Sequence, residues 1–156
     1  MEQTRMIPDT GPVPPREVAS LCGAEQRFVA ILRLWQTGEG GRAALWSRMS
    51  DEMGAARAGS CLSAFQDVAE HLAVRGWRAP TINPPDAPRL TRDEDDLCRL
   101  VTAAAEGARE EALELALFLV RPEALLPLVH AASRVGLPLL CAECRARLFA
   151  RPGTLH

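Results

Sequence analysis

The sequence predicts an all-α protein: a single compact domain of about six to seven helices, a Pro-rich central loop and a flexible N-terminal tail. Three observations carry this. Apolar residues recur at helical spacing along most of the chain, and glycines stand where those stripes stop. No segment alternates apolar and polar residues as a half-buried strand would. At 156 residues the chain has the size of one ordinary domain, with 47% apolar and 24% charged residues. That balance supports a core without disulfides or metal.

Residues 1–15 carry Pro8, Pro12, Pro14 and Pro15 with almost nothing to bury, which predicts a flexible tail ahead of a domain spanning 16–156. Its "PVPPR" string has the form of a polyproline ligand. Phe28, Ile31, Leu32 and Trp35 then define one face of a helix that the glycines of residues 37–41 end. A second helix over about 42–53 turns Trp46, Met49 and Met53 inward, so that Trp35 and Trp46 close a hairpin. The third, over about 55–74, buries Cys61, Leu62, Phe65, Val68, Ala69 and Leu72 before Gly76. "APTINPPDAP" holds four prolines in ten residues and excludes both helix and central strand, giving a loop at about 79–90.

Past the loop, "TRDE" is a capping box in which Thr91 and Glu94 satisfy each other's backbone, with Asp93, Asp95 and Asp96 favoured by the helix dipole. Leu97, Leu100, Val101 and Ala104 form the inward face of that helix up to Gly107. Glu110, Glu111 and Glu114 line the outside of the next, and the run 115–120 is apolar all round, as expected of a central buried helix. Pro127 fits the first turn of a new helix with Leu128, Val129 and Ala132 inward. Gly136, Leu137 and Pro138 read as its stop, and a final helix is expected over about 139–149.

"AAAEGAREEALELAL" (residues 103–117) resembles the inter-helix turn of tetratricopeptide and ankyrin repeats, at Gly107, Glu110, Glu111, Ala112 and Leu113. The resemblance covers 15 residues and has no second copy at the repeat period of those families. It implies a helical hairpin rather than a solenoid, and it carries no binding residues with it.

Chemistry is sparse. The chain has no glycine-rich phosphate loop, nucleophile elbow or H-E-x-x-H, and its histidines His71, His130 and His156 are scattered, so the expectation is a non-enzyme. A formal net charge of −2 gives no nucleic-acid footprint, and all 18 basic residues are arginine. Five scattered cysteines suit a reducing compartment, and neither a secretory signal nor a spanning segment is evident, so a cytoplasmic protein free of membrane is expected.

Cys141 and Cys144 form the one closely spaced cysteine pair. Zinc would need two further ligands, for example His130 with Cys98. A redox couple would want a preceding strand that the pattern lacks, and c-type haem would want histidine where Arg145 stands. The simpler expectation places Leu137, Leu140, Cys141, Cys144 and Leu148 on one apolar helical stripe, with no cofactor.

Residues 134–156 hold four arginines and one acid, whereas 91–114 hold eight acids and three arginines. Arg145, Arg147 and Arg151 are therefore candidate partner contacts, with the acidic helix start as the other charged surface. The functional expectation is an accessory or regulatory protein that binds another protein. The alternative is a metal- or redox-responsive regulator that uses Cys141 and Cys144 and touches DNA through its last helix.

Overall fold

The computed structural model describes residues 13–140. Over that range six α-helices build one hydrophobic core, with no strand among the described residues. They are α1 (Gly23–Trp35), α2 (Glu39–Met53), α3 (Ala55–Arg75), α4 (Arg92–Ala105), α5 (Arg109–Leu117) and α6 (Leu125–Leu139). Single 3-10 turns, Val18–Ser20 and Pro122–Ala124, precede α1 and α6.

The first three helices follow their apolar stripes. Phe28, Ile31 and Leu32 of α1 are buried, and Trp35 packs edge-on against Phe65 of α3 at 5.2 Å between ring centroids. In α2 the buried residues are Leu45 and Met49, and Trp46 is 46% exposed, lying over Gly59 rather than closing on Trp35. The hairpin of α1 and α2 is formed, but the two tryptophans take different partners in it, with Arg42 stacked on Trp35 at 4.3 Å from its ring. Gly54 alone joins α2 to α3, and its φ of +89° is a conformation that other residues rarely adopt.

The central helix is α6, not the run 115–120. It packs against both α3 and α4, and its Leu128, Ala131, Ala132, Val135 and Leu139 are buried. Small residues of α3, Ala58, Cys61 and Ala64, let the two helices approach, and the Cys61 thiol donates to the Val135 carbonyl at 3.5 Å. The run 115–120 instead ends α5 at Leu117 and becomes a turn, leaving Leu117 and Phe118 in solvent.

Gly136 does not stop α6. It sits inside the helix at the α4 crossing, where a Cβ would lie 2.7 Å from Ala105 Cβ and 2.8 Å from the Val101 carbonyl oxygen. The helix runs on through Pro138 to Leu139, and the arginines of two neighbours satisfy its last carbonyls. Arg27 donates to Leu139 O and Arg57 to Pro138 O, each at 2.8 Å. Leu140 is extended and buried, so the stripe expected from Leu137 through Leu140 is broken there. The remainder of the expected final helix lies outside the described residues.

The hairpin implied by residues 103–117 is present, with α4 and α5 packed together about Gly107 at φ +79°. No helix among the described residues is long and apolar enough to cross a membrane.

Candidate functional site

Cys141, Cys144, Arg145, Arg147 and Arg151 all lie outside the described residues. Of the possible companions, Cys98 is buried with its sulfur directed at the Glu25 carbonyl of α1, while His130 is exposed on α6. Among the described residues no three His, Cys, Asp or Glu side chains gather as a metal site. Burial pushes the Cys61 thiol up to about 12, and burial likewise raises Cys98, so neither is a ready nucleophile.

The acidic start of α4 is largely buried: Asp93, Glu94 and Asp95 all lie inside the fold. Glu94 is fully buried and takes the fork of Arg33 from α1 at 2.9 and 3.1 Å; the two side chains are 0% and 2% exposed. Arg33 spends its other hydrogens on the carbonyls of Ala87 and Arg89, at 2.7 and 2.9 Å, and more distantly on that of Pro85 at 3.5 Å. Glu94 also accepts the amides of Thr91 and Asn83, while Thr91 Oγ1 accepts the Glu94 amide, completing the expected capping box. Asp93 accepts both arms of Arg78 and the Thr81 amide; Asp95 accepts the Arg16 side chain and amide. Asp93 and Asp95, expected within a charged helix start, thus join the capping residue Glu94 in fastening the Pro-rich loop and the chain before α1 to the core.

These contacts set the acidity of the cluster. Arg78 and the Thr81 amide hold Asp93 below the usual carboxylate range against the effect of burial. Burial raises Glu94 and Asp95, yet Arg33 and two amides bring Glu94 below its ordinary value, and Arg16 does the same for Asp95. Asp96 goes the other way, raised chiefly by burial.

What the structure does leave in solvent is an aromatic edge. The chain leaving α3 pairs with the chain leaving α5: Trp77 N donates to Leu119 O at 3.1 Å and Arg121 N to Arg75 O at 2.9 Å, around a bridge between Gly76 and Val120. Trp77 Nε1 donates to Leu117 O at 3.0 Å, and the Arg121 guanidinium lies 5.8 Å from the indole ring. On this fixed frame Phe118 is 81% and Trp77 56% exposed, beside exposed Leu117. The sequence signal was present in "LALFLV", but an apolar run reads as core unless its partners are known.

Next to this edge lies an apolar cleft of about 370 Å³ between α1, α3, α4 and the loop. Leu72, Arg78 and Pro80 border both the cleft and a small notch at Phe118. A second concavity of about 400 Å³, beside Gly107, contains Arg109, His130 and Ser133. Ser133 donates to the His130 carbonyl at 2.7 Å, a local helix bond rather than an activated nucleophile. Comparison with known proteins returns no matching family model, no matching curated protein and no matching solved structure.

Proposed function

We propose that this is a non-enzymatic, cytoplasmic accessory protein that acts by binding another protein, through the edge formed by Trp77, Leu117 and Phe118. The observation that carries the reading is the exposure of Phe118 and Trp77 on a backbone already held by hydrogen bonds between the segments that leave α3 and α5. Exposed aromatic residues of this kind are the usual anchors of protein interfaces, and a rigid frame spares the ordering cost of binding. Arg121 beside the indole adds the residue type most often found with tryptophan at such anchors. The thiols of exposed Cys22 and buried Cys61 and Cys98 are unpaired, which supports a reducing compartment.

The test is comparative capture from the native cytoplasm with the wild-type chain, Phe118→Ser with Leu117→Ser, and Arg48→Ala on the exposed face of α2. A species held by wild type and Arg48→Ala, and bound at least about 30-fold more weakly by the edge variant, is expected for loss of an anchor worth about 2 kcal/mol. Equal retention by all three proteins would overturn the reading.

A further inference from the structure

We infer that the cleft between α1, α3, α4 and the Pro-rich loop is a binding site for a small, neutral, apolar molecule. Its walls are Trp35, Phe65, Val68, Leu72, Ile82 and Leu97, and its volume of about 370 Å³ falls within the range of small-molecule sites, roughly 300–1,000 Å³.

Two features separate this cleft from a packing defect. A void this large between apolar surfaces would ordinarily be closed by moving a wall inward, since lost contacts are costly. Here the loop wall is fastened by buried groups that do not line the cleft. Thr81 N is held by Asp93 at 2.7 Å, Asn83 N by Glu94 at 3.0 Å, and the Ala87 and Arg89 carbonyls by Arg33. The opposite wall is the long helix α3, held on its other side by α6. The cleft is therefore preformed, and water within it meets few polar partners, so an apolar occupant displaces it favourably.

The chemistry of the mouth selects the charge of that occupant. Of the residues around the cleft, only Arg78 carries charge, and its two terminal nitrogens are taken by Asp93 at 2.7 and 2.8 Å. Asp93 already balances the Arg78 charge, so an anion finds no unmatched cation at the mouth and a cation finds no free carboxylate; either would lose hydration with little to replace it. A neutral ligand meets no such penalty. The edge-to-face pair of Trp35 and Phe65 favours a planar aromatic or compact hydrocarbon body.

The probe is N-phenyl-1-naphthylamine, a neutral dye that fluoresces when it leaves water. Titrated into the full chain, it should bind saturably at one site and quench tryptophan emission, less so in Trp35→Phe. Ala69→Leu and Ala73→Leu each place three more carbons on the α3 wall and should weaken binding about tenfold or more. Ala73 is exposed at the mouth, so that variant keeps the core intact, as its unchanged circular dichroism melt would show. Phe118→Ser should bind the dye normally, which separates this site from the proposed protein-binding edge. Non-saturating dye uptake, or affinity unchanged in both cavity-filling variants, would refute the inference.

Discussion

Replacing Arg33 with methionine removes the positive half of the most deeply buried ion pair among the described residues. Glu94 would lose its donors at 2.9 and 3.1 Å and keep the amides of Asn83 and Thr91. Removing one partner of a buried pair costs about 3–5 kcal/mol. The retained amides on Glu94, the Asn83 Nδ2 donor that the Arg89 carbonyl keeps at 2.8 Å, and the partial exposure of Ala87 place this variant at the low end. A loss of about 3 kcal/mol corresponds to a fall in Tm of roughly 6–12 °C for a domain of this size.

The pH dependence identifies the cause. In the wild type the folded-state pKa values of Asp93, Glu94 and Asp95 are lowered. Their stabilisation is therefore complete above the unfolded carboxylate range, about 4, and is lost as pH falls through the lowered folded values. Asp96, raised by burial, offsets part of this. In Arg33→Met the unpaired Glu94 carboxyl should titrate upward, so mild acid relieves the buried charge. Thermal melts at pH 7 and near pH 4 should show the gap between variant and wild type shrinking in acid. At pH 7, adding Glu94→Gln to Arg33→Met should recover stability, because no buried charge remains while the capping geometry is kept. A gap of the same size at both pH values would refute the electrostatic argument and leave packing as the cause.

Two glycine substitutions should have opposite signs in denaturant titrations. Gly136→Ala forces a methyl against Ala105 and Val101 and should cost about 1–3 kcal/mol, whereas Gly59→Ala, with Trp46 3.9 Å away, should gain about 0.5–1 kcal/mol from helix propensity. Thiol labelling under native conditions, mapped by peptide mass, should modify exposed Cys22 before Cys61 and Cys98; early labelling of Cys61 would contradict its burial and raised pKa.

What the sequence disclosed and what it hid divide along chain distance. The stripe Phe28–Ile31–Leu32, the Thr91–Glu94 box and the Pro-rich loop are local patterns, and the structure has each of them. Gly136 was misread because glycine serves both as a stop and as a close-packing residue, and only the presence of α4 decides between them. Asp93 and Asp95 read as part of a charged helix start, and the ion pair of Glu94 stays hidden behind its capping role, because the arginines come from positions 78, 16 and 33, which no local pattern connects to them. Phe118 was assigned to the core because composition reports apolarity, not which side of the fold receives it.

The Arg33–Glu94 pair also orders events during synthesis. The two residues are 61 positions apart, and Asp95 lies 79 positions beyond Arg16. On the ribosome, helices α1, α2 and α3 are complete before any of these carboxylates has been made. Until then Arg33 faces its future interior as an unaccompanied charge, which resists dehydration and holds that surface open. Docking of the early helices along α1 must wait for the start of α4, and closing that long loop is entropically slow. A truncated chain ending in the Pro-rich loop should therefore remain expanded, which delays burial of the N-terminal half until the residues that complete it have emerged.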